Sequence, residues 1–123
     1  MAIIQVRRGT SLAMEYASGL IKLKPNTEHK VDEWRLTIAS RLNEAAATLQ
    51  DEEVQIESWF KVQLEGQQYL LWYLRAKSIK RVFDVSMQLN HPIDKFHYEL
   101  MAEITAENGN ILAEPIIDIP RSV

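Results

Sequence analysis

The sequence contains no cysteine among its 123 residues. Disulfides, thiolate nucleophiles and cysteine-based zinc sites are therefore excluded outright. Chain breakers are scarce: four glycines and four prolines are scattered along the chain, and no linker-like run of them divides it. That scarcity and the length predict one domain. No apolar run approaches the ~20 residues that a membrane-crossing helix needs. Basic residues cluster no further than pairs such as Arg7 with Arg8 and Lys80 with Arg81. With a formal net charge of −3, nucleic acid has no electrostatic footprint to bind. Phosphate-cradling glycine loops, nucleophile elbows and HExxH are also missing, which removes support for the matching nucleotide-binding and hydrolase classes.

The beginning, MAIIQVRRGTSLAMEYASG, places its arginines after a short apolar stretch, the reverse of a secretory signal. The expectation is a cytoplasmic protein with no membrane partner. An N-terminal extension at 1–14 precedes a domain at 15–119, and Met14 is an alternative start of that domain.

What is present is ordinary globular material, 46% hydrophobic and 25% charged. A chain this long removes roughly two-thirds of its unfolded surface from water, enough for its own core. The segment YASGLIKL (16–23) alternates weakly and reads as a strand, broken by Lys24, Pro25 and Asn26. Asn26 or Thr27 can cap a helix that Glu28 favours electrostatically. Val31, Trp34, Ile38, Leu42, Ala45 and Leu49 recur every three or four residues, predicting one helix to about Gln50. Period-two alternation at 54–64, Glu65 and Gly66 as a turn, and a return strand at 68–76 predict a hairpin. Ser78 caps a helix to about Leu89, and Pro92 opens another that stops at Asn108 and Gly109. The stretch 111–119 closes the chain as an edge or bulged strand because of Pro115. The order predicts an α+β, ferredoxin-like βαββαβ sandwich with helices on one face of an antiparallel sheet.

Helices cover one side of such a sheet, yet both sides here carry bulky residues. A second copy, sheet against sheet, is the economical cover, so a homodimer enclosing a cavity is expected. Glu57, Trp59, Lys61, Tyr73 and Arg75 are candidates to line it, with simple interface packing as the alternative for the aromatics. Glu57, mid-strand, becomes a candidate general base if it faces an enclosed space, and otherwise is solvated or paired with Arg75 or Arg41.

NHPIDKFHYEL (90–100) concentrates the remaining chemistry. Ile93, His97, Leu100, Met101 and Ile104 share about one-quarter of a helical wheel. His97 therefore faces the sheet, with Asp94 within reach as partner. Two readings follow: an acid/base pair, or a structural histidine fixing the helix. A metal reading of His91, Asp94 and His97 fails, because His91 and His97 point about 120° apart on a continuous helix. No metal and no cofactor are expected.

The stretches ATLQDEEVQIESWF, YLLWYLRAKSI and HPIDKFHYELM resemble a family of small uncharacterised bacterial proteins, a domain of unknown function similar in fold to the dimeric α+β barrels. The resemblance covers residues 15–119. It implies the ferredoxin-like dimer but no reaction. In haem-degrading barrels an asparagine, a tryptophan and a helical histidine form the site; Trp72 and His91 or His97 match two of these, and the first strand has no asparagine. Haem is disfavoured on that ground. The functional expectation is a small-molecule-binding dimer, monooxygenase- or isomerase-like without a cofactor, taking an apolar or aromatic metabolite. His97, Asp94 and Glu57 are the catalytic candidates; Trp59, Tyr73, Arg75 and His91 are the ligand-binding ones. The alternative is a non-catalytic dimer in which Asp94 and His97 only stabilise the fold.

Overall fold

The computed structural model describes residues 9–11, 14–119 and 121. In chain order these form β1 (Gly9–Ser11), β2 (Met14–Leu23), α1 (Glu28–Ser40), α2 (Leu42–Glu52), β3 (Val54–Leu64), β4 (Gln67–Ala76), α3 (Ile79–Ser86), α4 (Pro92–Ile104) and β5 (Thr105–Leu112). The architecture is α+β, four helices against an antiparallel sheet. The four long strands lie in the order β5-β2-β4-β3, and β1 extends β2 at its other end. Gly9–Ser11 falls inside the segment expected to be an extension. No helix among the described residues is long and apolar enough to cross a membrane.

The hairpin of β3 and β4 follows from its turn. Glu65 and Gly66 both have positive φ, 49° and 77°, which matches the right-handed strand twist of a two-residue turn. In β4, Leu70, Trp72, Leu74 and Ala76 point to the helices and are buried. In β2, Ala17, Ile21 and Leu23 do the same. Ile79 from α3 and Ile104 from α4 close the core and are at most 1% exposed. Side chains of this size, fully buried, each contribute roughly 1.5–3 kcal/mol.

The long first helix is two helices. Arg41 has ψ 38°, outside the helical range, and its N–H reaches back only to Ile38. Ser40 Oγ donates to the Thr37 carbonyl, a local competitor for helix bonding. The break rotates α2, so Leu42 ends 62% exposed while Thr48 and Glu52 are buried.

The helix expected to stop at Asn108 and Gly109 ends at Ile104, and β5 begins at once. Thr105 Oγ1 donates to the Met101 carbonyl at 2.6 Å, closing the last turn. Asn108, at φ 54°, and Gly109 instead sit where β5 shifts register against β2. The final strand lies at Thr105–Leu112 rather than 111–119, and the chain leaves the sheet before Pro115, which has no N–H to give it.

The face assignment of β3 is also reversed. Pairing shifts register between Val54 and Ile56. A one-residue shift moves every following side chain to the other face. Val54 is buried, whereas Ile56, Phe60 and Leu64 project away from the helices, 48–55% exposed. Glu57 and Trp59 face the helices instead.

Gly19 lies opposite Trp72 across the β2–β4 pair. A Cβ there would meet the Ile111 carbonyl oxygen at 2.8 Å and Trp72 Nε1 at 2.9 Å. Gly19→Ala should therefore displace β5 or Trp72 and cost about 1–3 kcal/mol in urea denaturation. Gly66→Ala meets open space, but its φ of 77° should cost about 1 kcal/mol. Equal, negligible effects at both positions would contradict this packing.

Candidate functional site

A cavity of about 1180 Å³ lies between the helices and the sheet. Its floor is Ile21, Leu70, Trp72 and Leu74; Trp34 and Ile38 come from α1, Leu49 and Glu52 from α2, Glu57 and Trp59 from β3, and Asp94 and His97 from α4. The three tryptophans of the chain all line it. Trp34 and Trp59 meet edge to face, centroids 5.1 Å apart at 73°. His97 stands 5.5 Å from Trp59 at 70°.

Polar atoms in this setting are held by specific partners. Trp34 Nε1–H donates to His97 Nδ1 at 2.9 Å, tying α1 to α4. That bond fixes the tautomer: Nδ1 accepts, so Nε2 carries the proton of the neutral ring. Burial pushes the His97 pKa down to about 4, so the ring is neutral at pH 7. Trp59 Nε1–H donates to Glu57 Oε2 at 2.8 Å. Burial pushes the Glu57 carboxyl up, that hydrogen bond pulls it down, and Asp94 pushes it up again.

Glu52 is the group that composition alone would not place here. It is 5% exposed at the end of α2. Its pKa rises to about 8, first from burial and then from the charges of Glu57, Asp94 and Asp51. No hydrogen-bond donor reaches its carboxyl among the described residues. Among the described residues no buried side-chain oxygen is both sealed from space and unpartnered, so the Glu52 oxygens are not sealed, and Glu52 lines the cavity. Burial also raises Asp94, opposed by the His91 backbone N–H. Glu52, Glu57 and Asp94 therefore titrate as coupled groups, carrying fewer than three negative charges near neutrality.

Of the residues expected from sequence, Glu57, Trp59, Asp94 and His97 converge on the cavity, and Lys61 reaches its rim. The expected bond between Asp94 and His97 is not made. Asp94 Oδ2 accepts from the His91 backbone N–H at 3.3 Å, capping α4, and Trp34 takes the place of Asp94 at the imidazole. His91 Nε2 lies 2.6 Å from Asp51 Oδ2, outside the cavity, and that hydrogen bond raises its pKa. Tyr73 and Arg75 stand on the opposite face of the sheet. There Arg75 forms two hydrogen bonds with Asp118, at 2.7 and 3.0 Å, and one with Tyr73 Oη at 2.8 Å. Glu57 pairs with neither Arg75 nor Arg41. Among the described residues no group of three or more His, Asp or Glu is placed to hold a metal.

Glu52 was legible through spacing: Ala45, Thr48, Leu49 and Glu52 form an i, i+3, i+4, i+7 face. Its charge argued the other way.

The sign of the pH dependence follows. An acid whose folded pKa is raised stabilises the fold fully below its unfolded value, near 4.5 for Glu52, and loses that contribution as pH rises toward 8. His97, lowered from 6.5 to about 4, acts oppositely, but only between those two values. From pH 6.5 to 8 the Glu52 effect stands unopposed by His97. Stability in urea should fall by about 1–2 kcal/mol across that window, and Glu52→Gln should flatten the fall. Identical slopes in the two proteins would contradict a buried, protonated Glu52.

No curated protein matches the chain. A family described as of unknown function (DUF6176) matches residues 14–121, nearly all of the described chain. This span holds every strand and helix that builds the cavity, and the chain belongs to that family, DUF6176.

Proposed function

We propose that this protein is a ferredoxin-like protomer of a dimeric α+β barrel that binds a small molecule with an apolar or aromatic body between helices and sheet. The strand order β5-β2-β4-β3, all antiparallel, supports the fold reading. The observation that carries the functional reading is the large, tryptophan-lined cavity into which Glu52 and Glu57 open. Apolar pockets with a few convergent polar groups of shifted pKa are the physical signature of small-molecule sites.

The chemistry such a site supports is cofactor-independent proton transfer of the isomerase type. Glu57, made more basic by burial and held in place by the Trp59 N–H, takes a proton from a carbon next to a substrate carbonyl. Protonated Glu52 donates a hydrogen bond to the carbonyl oxygen as negative charge develops there. Return of the proton from Glu57 to another carbon completes an isomerisation with no external reductant or oxidant. Asp94 acts by positioning α4. His97 offers Nε2–H as a donor; its Nδ1 is occupied by Trp34, which argues against a role as base.

A non-catalytic role for His97 is favoured by one observation, the Trp34–His97 bond that joins α1 to α4. His97→Ala leaves the Trp34 N–H unpartnered and should cost about 1–3 kcal/mol. On the catalytic reading Glu57→Gln should leave stability nearly unchanged while removing proton transfer.

Dimerisation through the helix-free face is supported by its greasy surface. Ile56, Phe60, Leu64 and Ile111 are 48–55% exposed there, and the tail adds Ile116, Ile117 and Ile119 at 72–93%. Sedimentation should give a dimer at micromolar concentration, and Phe60→Asp should give a folded monomer; a monomeric parent protein would remove this part of the proposal.

Because all three tryptophans line the cavity, their emission reports its occupancy. The uncharged dye N-phenyl-1-naphthylamine should bind saturably, quench tryptophan emission by energy transfer, and bind at least about tenfold more weakly to Trp59→Ala. Among compounds that displace it, those with a C–H next to a carbonyl should exchange deuterium from solvent, about 10²-fold more slowly in Glu57→Gln. Absence of saturable dye binding would overturn the small-molecule reading.

A further inference from the structure

The charged groups near the cavity are arranged unevenly. Its interior holds Glu52, Glu57 and Asp94, drawn from α2, β3 and α4. Among the described residues no cation forms an ion pair with them. Arg35 pairs with Asp32 at 3.3 Å, Arg81 with Glu53 at 3.5 Å and with the Asp51 carbonyl at 3.1 Å, and His91 with Asp51. Lys61 is exposed at the rim, four residues from Glu57, or about 13 Å along an extended strand. Water screens a charge so placed. His97 is a neutral ring.

The acidic cluster does not stand alone. Glu52, a buried residue with no hydrogen-bond partner among the described residues, lines the cavity. Such a group is costly unless something meets it. The aromatic wall offers a second, independent match. The indole N–H groups of Trp34 and Trp59 are spent on His97 and Glu57. The two rings meet edge to face at 73°; Trp34 is buried, and the half-buried Trp59 is the indole of the pair that a ligand can meet. Tryptophan faces attract cations more strongly than any other side-chain ring.

We infer that the cavity takes an organic cation: an amine or quaternary ammonium group seated between Glu52, Glu57 and Trp59, with an apolar body along the sheet. This rests on the small-molecule reading of the cavity and replaces the carbonyl chemistry proposed for it, because a Glu52 ionised against a cation has no proton to donate to a carbonyl. The cation replaces protons as the neutralising charge of the carboxyl pair, so binding releases protons into the buffer. Carboxylate ligands are excluded by the same field. In a buried setting each like-charge contact is large compared with the same contact at the surface.

The test compares three ligands of one shape class on the full chain by displacement of N-phenyl-1-naphthylamine. They are benzyltrimethylammonium, its uncharged carbon isostere neopentylbenzene, and phenylacetate. Benzyltrimethylammonium should bind at least about tenfold more tightly than neopentylbenzene, and phenylacetate should not compete. Calorimetry in buffers of different ionisation enthalpy should show proton release with the ammonium ligand at pH 7. The preference should shrink in Glu52→Gln and again in Glu52→Gln with Glu57→Gln. Should a glutamine variant fail to fold, the comparison of ligands on the parent protein decides alone. Equal binding of the ammonium and its isostere overturns the cation inference and leaves the cavity reading standing. Saturable dye binding that none of the three displaces also overturns the inference. Failure of the dye itself to bind overturns both.

Discussion

A carboxyl group enclosed by apolar walls, without a hydrogen-bond donor, resists ionisation, and the cavity of this protein is organised around that constraint. Glu52 is the case in point, its pKa pushed to about 8 by burial and by the neighbouring acids. A fold selected only for stability would place a leucine or methionine at the end of α2. Keeping a carboxyl there costs stability above pH 4.5, a cost that the proposed ligand site would account for.

Local features of α1, α2, β3 and α4 shape the cavity that this carboxyl lines. The break at Arg41 turns α2 so that its last turn faces inward. The register shift at the start of β3 sends Glu57 and Trp59 toward the helices and the apolar side chains Ile56, Phe60 and Leu64 toward the other face. The Trp34–His97 bond keeps α1 and α4 in fixed relation across the cavity. Asp94 ends the series by binding the first turn of α4 through the His91 N–H. One set of local choices therefore generates both a helix-side cavity and a greasy sheet face.

Much of the fold was readable because local chemistry and tertiary context agreed. Ser78 Oγ accepts from the Arg81 N–H as an N-cap should, Pro92 opens α4, and Glu65 with Gly66 turns the hairpin. The faces of β4 followed from simple alternation. Where the reading failed, a single residue changed the frame. Periodicity continues unaltered across the non-helical Arg41, so the break left no mark in the spacing. Asn108 and Gly109 carry the composition of a helix stop, yet serve a register shift inside β5. The candidate site was half legible: Glu57, Trp59, Asp94 and His97 all line the helix-side cavity, but Glu57 and Trp59 were expected with Tyr73 and Arg75 on the open face of the sheet, and the register shift in β3 separates the two pairs. Partner choice was the hardest to foresee, since Trp34 lies 63 residues from His97 in sequence and Asp94 only three.

The most direct measurement is the titration of Glu52 itself, followed by ¹³C NMR of the side-chain carboxyls with Glu52→Gln for assignment. The account predicts a midpoint near 8 in the free protein, moving to lower pH when benzyltrimethylammonium is bound. A midpoint near the ordinary glutamate value of 4.5, unchanged by that cation, would contradict it.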